Sequence, residues 1–453
     1  MGKKKILTIV ITAAVIAAIL GIIGVMAYNR FSKMQAENAA KAIEEANEYI
    51  SSGDYYNAIC TYDQNMKYDR DHVMEEKRRE SFLAFAEQLK DGAYAYIHDY
   101  NYVEAVQYLN AGAMLDKGDD PEFSALYQTC VKYQNFVVYD GVVEHVFFHP
   151  LIAYPEKAFT GDYMENNMDD YFVTANEFIK IMQRFYENNY ILIDIRLLYG
   201  VDGNGNVYKK ELYLPEGKKP LVLSIDDLNY YDYMDKYGIV TGMEVGADGK
   251  TVVSFTETPE GRVFSDNNDI VPIMDKMIKE HPDFSWGGHK GTVALTGYEG
   301  ALGYRTDMLD SPDYDAHLAD ARRLADVMKN NGWNFACHSY GHVEPETRSV
   351  EWFYNDIDRW IREVEPVVGK TDIYVYPFGD TIEAWDDRFQ YMLKQDFKMF
   401  CGVYMQPELN FYQDYVFMQR RNIDGIAFRE HRLDDLMDFT GIPNADVRPD
   451  RGY

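Results

Sequence analysis

Three short runs hold the residues best suited to chemistry. Residues 220–227 read P-L-V-L-S-I-D-D, an apolar stretch that closes on the adjacent carboxylates Asp226 and Asp227. Residues 335–342 read F-A-C-H-S-Y-G-H and space His338 and His342 four apart. Residues 371–380 read T-D-I-Y-V-Y-P-F-G-D, a β-like run that exits on a Pro-Phe-Gly turn. Imidazoles at that spacing can face one ion, and one carboxylate completes a site with positions left for water and substrate. Two carboxylates at the end of a buried strand are costly unless a cation or hydrogen bonds satisfy them. No single run suffices. Asp-Asp recurs at 119–120, 169–170, 386–387 and 434–435, but only the 226–227 pair directly follows an apolar strand. The histidine pair by itself is equally consistent with hydrogen-bonded loop residues.

In this order, each at a strand end, the runs resemble the motifs of the polysaccharide deacetylase family (carbohydrate esterase family 4, with the NodB homology domain). S-I-D-D is similar to its T-F-D-D motif, H-S-Y-G-H to its H-S/T-x-x-H motif, and Y-P-F-G to its third motif. F-F-H-P-L-I around His149 and the run from Phe172 to Tyr190 are similar to the entry of the subgroup that opens with a Tyr-His strand and a helix. The likeness extends from about Val142 to Phe439. It implies an α/β fold, a distorted (β/α)7 barrel. It implies Asp227, His338 and His342 as ligands of Zn2+ or another divalent transition metal, Asp226 as general base, and the Phe378 backbone N–H as an oxyanion donor. The pattern has gaps. No L-x-H motif supplies the usual acid histidine; His431, in F-R-E-H-R, is the one histidine beyond His342 and takes that role by position. The third-motif arginine is absent, with Arg420 or Arg421 as substitutes from a later strand, and Leu228 stands where a glycine usually follows the carboxylates.

The reaction so implied is removal of N-acetyl groups from an N-acetylglucosamine-containing cell-wall or surface polysaccharide. A bound divalent cation brings the pKa of water from 15.7 towards about 7. Asp226 then takes a proton, a preorganised donor holds the oxyanion, and an acid protonates the leaving amine. A second reading is a catalytically degenerate, membrane-anchored glycan binder whose helical repeats engage a protein partner. The missing L-x-H favours it; the intact Asp226–Asp227 pair speaks against it. An iron oxygenase fits less well, because its carboxylate and first histidine usually share one short motif. Tyr230, Tyr231, Tyr233 and Trp385, close to the motifs, are candidates to stack on sugar rings, although most of the 38 tyrosines will serve packing.

The elements that must position these residues follow from periodicity. Beyond Val142, β-like runs (V-E-H-V-F-F-H, Y-I-L-I-D-I, L-V-L-S-I, F-A-C-H, I-Y-V-Y) alternate with amphipathic helices at 175–187, 316–330, 352–364 and 387–395, which argues for parallel pairing. Residues 200–220 read as a hairpin or loop excursion, and 228–306 as a long Gly-rich segment of no evident role. Residues 29–135 are helical in pattern. G-D-Y-Y-N-A-I-C-T-Y around Asp54 is matched by Y-N-Y-V-E-A-V-Q-Y-L around Asn101, and resembles tetratricopeptide repeats, though the usual period is 34. A partner-binding module and a plain helical stalk both fit. Residues 441–453 remain as a C-terminal tail.

Residues 6–28 carry no charge, long enough to span a bilayer, with Lys3, Lys4 and Lys5 before them. The positive-inside rule puts residues 1–5 in the cytoplasm and the rest outside, anchored in the cell membrane. A cleaved signal peptide is the competing reading, but the apolar run exceeds the usual 7–15 residues of its core. The formal net charge of −29 repels phosphate backbones and excludes nucleic acid as a plausible partner. Four cysteines form no disulfide framework, though Cys60 and Cys130 share a region and could pair after export.

Overall fold

The computed structural model describes residues 2–98 and 101–453, without the side chains of residues 3–8 and 98. Met1 and the lysine side chains of the expected cytoplasmic tail lie outside the described residues. Two compact units are present, one ending at Gln134 and the other running Asn135–Tyr453.

The first unit is all helical: α1 (Lys3–Ser51), α2 (Tyr55–Asn65), α3 (Val73–His98), α4 (Tyr102–Leu115) and α5 (Pro121–Tyr133). From Ile9 onward, α1 is long and apolar enough to cross a membrane, and its apolar side chains from Ile9 to Phe31 are exposed. Such a helix suits a membrane anchor and a signal sequence alike. Beyond it, the two similar sequence runs have similar local geometry. The amides of Asp54 and Asn101 each bond back five residues, to Tyr49 and Tyr96, and Ala58 and Ala105 are both fully buried. Cys60 and Cys130 are not joined to each other by a disulfide.

The second unit is a closed barrel of seven parallel strands with helices around it. The strands are β1 (Glu144–Phe148), β2 (Lys219–Asp226), β3 (Gly291–Leu295), β4 (Trp333–Cys337), β5 (Ile373–Val375), β6 (Met399–Val403) and β7 (Val416–Asn422). Each pairs with the next, and β7 closes onto β1. Strand β3 comes from within the Gly-rich segment. That segment also carries a three-stranded antiparallel sheet (242–245, 252–258, 261–265) and a helix, Ile270–Glu280. The 200–220 region contains the hairpin Tyr199–Val201 with Val207–Lys209.

Side-chain alternation sorts the strands into two faces. Leu221, Leu223 and Ile225 of β2 point outward into the core beneath the helices. Val222 points inward with Ala294, Ala336, Val375, Cys401 and Met418. Helix Ala175–Glu187 shows why the outer layer forms. A Thr174–Glu177 capping box starts it, and Phe178, Ile181, Met182 and Phe185 recur at helical spacing to bury one stripe. The last residues are no loose tail: Ile442 and Arg448 are buried, and Arg448 donates to Asp169 and Glu177.

Candidate metal centre

The inward face of the barrel turns polar toward the C-terminal strand ends. On β1 the inward residues are His145 and Phe147; on β2, Ser224 and Asp226; on β7, Met418 and Arg420. Arg420 donates to both oxygens of Asp226, at 2.7 and 2.9 Å, and to Ser224 Oγ at 3.2 Å. Ser224 Oγ also meets His145 Nε2 at 3.0 Å, and the Phe147 ring lies 4.2 Å from the guanidinium carbon. Of the two later-strand arginines, Arg420 is the one that reaches Asp226. Arg421, one residue on, points outward to Glu144 and Asp435. Burial pushes the Asp226 carboxyl up, but Arg420, His338 and His149 outweigh it and bring it to about 2.

Asp227 and His338 sit one residue beyond their strand ends, and His342 joins them from the turn that follows. Their ligand atoms all lie within 4.8 Å of one another, and no other such trio gathers among the described residues. His342 Nε2 is 3.6 Å from Asp227 Oδ2, and the two imidazole centroids are 4.9 Å apart. Asp227 Oδ1 accepts the Tyr231 hydroxyl at 2.7 Å, which fixes the carboxylate and leaves Oδ2 toward the histidines. His338 Nδ1 lies 2.9 Å from the Val375 carbonyl. A carbonyl only accepts, so Nδ1 carries the proton and Nε2 keeps its lone pair for a ligand. Burial lowers His338 to about 4, against the pull of Asp226 and Asp227, so the imidazole is neutral at neutral pH.

Local backbone strain supports this arrangement. Asp227, Ser339 and His342 hold φ of 59°, 58° and 50°, a region non-glycine residues seldom adopt. Asp356 over-determines the H-S-Y-G-H turn: its carboxylate accepts Ser339 Oγ and the Tyr340 and Gly341 amides at 2.7–2.8 Å. The Asp227 and His338 amides extend the ladder to the carbonyls of Ala294 and Leu295.

Phe378 occupies the third-motif turn with φ 59° and ψ 2°, and its exposed ring packs 4.4 Å from His342. The Gly379 and Asp380 amides are bonded to Tyr376 and Pro377; the Phe378 amide has no such acceptor among the described residues.

His431 is the expectation that fails. Its side chain is 77% exposed on the loop after the last helix and faces Asp434 at 3.4 Å, with no contact to Asp226, Asp227 or the two histidines. Being the last histidine in the chain does not bring it to the strand ends. His149, just beyond β1, lies nearer the site: its ring centroid is 5.9 Å from that of Phe147, which in turn lies beside the Arg420 guanidinium. The charge of His149 lowers Asp226 and also Asp424, a carboxylate just past β7 whose pKa burial raises. His149 Nδ1 lies 3.0 Å from the Tyr171 carbonyl, so its Nε2 is the nitrogen left for substrate. The signal was present in sequence: His145, Phe147 and His149 alternate, and one face of a strand carries all three.

The donor set fits a divalent transition metal: two imidazole nitrogens and a carboxylate with no lysine or arginine paired to it among the described residues.

No protein-family model matches the chain, and no curated protein matches it. Among solved structures, the chain is similar to the Streptococcus pyogenes deacetylase PplD in complex with acetate: 14% identity, TM-score 0.37, covering 66% of this chain and 99% of that one. It is similar also to BA0330 of Bacillus anthracis, provisionally called a polysaccharide deacetylase, at 13% identity and TM-score 0.38, covering 66% and 69%. At these values the likeness carries no argument; the fold rests on the strand pairing itself.

Proposed function

We propose that the chain is a metal-dependent hydrolase that removes N-acetyl groups from an N-acetylglucosamine-containing cell-wall or surface polysaccharide. The observation that carries this reading is the Asp227–His338–His342 trio beside an ionised Asp226. A pure binder has no use for a second carboxylate clamped by a buried arginine next to the first.

Asp227, His338 and His342 would hold the metal, which supplies Lewis acidity for water and for the acetyl carbonyl. Asp226, kept ionised and oriented by Arg420, accepts the proton of the attacking water. The Phe378 amide donates to the oxygen that becomes negative. His149, protonated, gives its Nε2 proton to the departing amine while Tyr171 holds Nδ1. Acetate and a free amine are the products. The helix α1 anchors the enzyme in the membrane with the barrel outside, and residues 29–135 form a tetratricopeptide-like spacer open to a protein partner.

The test is acetate release by the zinc-loaded full chain from chitooligosaccharides and from peptidoglycan. Release by wild type, lost in Asp226→Asn at unchanged zinc content, is the expected result. Bound zinc with no acetate from any acetylated glycan would leave only the glycan-binding reading.

A further inference from the structure

The long segment after Asp227, without evident role in sequence, builds a wall against the metal-binding carboxylate. Tyr230, Tyr231 and Tyr233 follow Asp227 closely, and Tyr298 arrives from the loop after β3. They are not equivalent. Tyr230 is buried and donates its hydroxyl to Asp269 at 2.6 Å, so it belongs to the core. Tyr231 stacks on Tyr298 with centroids 4.6 Å apart and planes 11° apart, and on Tyr233 at 6.2 Å and 22°. Tyr233 is the outermost member, 38% exposed. The Tyr231 hydroxyl donates to Asp227 at 2.7 Å, which sets the stack against that carboxylate.

The wall is also braced. Asn229, fully buried, donates to the Thr296 carbonyl at 3.1 Å and accepts the Thr296 amide at 3.3 Å. Tyr231 Oη meets Thr296 Oγ1 at 2.7 Å, and the Asp232 amide donates to Glu299 at 2.7 Å. Arg305 ties the Glu299 and Tyr230 carbonyls together at 2.7 and 3.1 Å. The two loops that carry the tyrosines are therefore held as one body, which lowers the cost of binding against them.

We propose that this wall is a saccharide subsite, in which a pyranose ring of a neutral acetylated glycan stacks on the outer face of Tyr233. The proposal rests on the hydrolase reading for its placement beside the reacting acetyl group. Aromatic faces carry negative potential and attract the weakly positive C–H face of a sugar ring. An acidic glycan is disfavoured by the carboxylates at the site and by the net charge of −29.

The experiment uses the zinc-loaded full chain in detergent micelles with chitotetraose as probe. Calorimetry gives Kd, and acetate release gives KM. Tyr233→Ala should weaken both by about tenfold, at wild-type zinc content and thermal stability, whereas Tyr233→Phe should stay within about twofold. An alanine variant with unchanged Kd and KM overturns the subsite while leaving the hydrolase intact. A phenylalanine variant as weak as the alanine variant overturns stacking. Binding that depends on Tyr233 without acetate release supports the subsite and sinks the hydrolase. A wild-type chain that neither binds chitotetraose nor releases acetate from it overturns the subsite.

Discussion

The barrel unit buries two clusters of acids and arginines, and they are built to opposite ends. At the C-terminal segment, Asp169 is fully buried and accepts Arg448, Arg429 and Arg451 at 2.6–2.9 Å. Arg448 also binds Glu177, and Arg451 also binds Asp170. Three carboxylates meet three guanidiniums, so the buried charge cancels. At the barrel mouth, Asp226, Asp227 and Asp424 have one buried arginine among them, and it is spent on Asp226. The His338 imidazole is neutral at neutral pH. The balanced cluster needs nothing more; the unbalanced one has a carboxylate beside two imidazoles and leaves a cation to be supplied from outside.

That contrast can be broken first at the balanced end. Asp169→Asn should strand buried guanidiniums and destabilise the barrel unit by about 3–5 kcal/mol, read from urea unfolding, while the folded fraction keeps its zinc. A loss below about 1 kcal/mol would mean the cluster is solvated and the comparison empty.

At the mouth, His149→Gln should lower kcat by about 10²–10⁴-fold with zinc content unchanged. The companion variant His431→Gln should leave kcat and stability alone. Reversed results would restore the acid role to His431.

A smaller effect concerns Asp269, whose carboxyl burial raises to about 6 despite hydrogen bonds from Tyr230 and Ile270. A raised carboxyl means the folded state holds its proton longer than the unfolded one. Stability therefore falls as pH climbs from the unfolded value near 4 through about 6. Asp269→Asn removes that penalty, so its advantage over wild type should grow across this window to at most about 3 kcal/mol and vanish below about pH 4. A pH-independent difference in Tm would contradict the assignment.

How much of this was legible in sequence depended on pattern. The runs at 220–227 and 335–342 announced themselves because apolar strands ended abruptly in ligand-type residues. Strands β3, β6 and β7 did not stand out. G-T-V-A-L is short and opens on a glycine, M-F-C-G-V is interrupted by one, and β7 reads V-F-M-Q-R-R-N because its inward position is filled by Arg420. A buried arginine looks like surface until its carboxylate partner, nearly two hundred residues earlier, is known. Histidine 149 was hidden for a related reason. It sits at the first strand end, and elimination by chain order favoured His431, which alternation along β1 would have corrected. The tyrosine wall required tertiary structure, since Tyr298 meets Tyr231 only after the intervening sheet and helix are folded.

The most direct test of the central claim is metal stoichiometry by elemental analysis of the purified full chain, alongside Asp227→Ala and His338→Ala. One zinc or equivalent transition metal per wild-type chain, absent from both variants although their barrels stay folded, is the result the charge imbalance at the mouth predicts. A folded wild-type chain that takes up no metal from solution would contradict it, and the hydrolase with it.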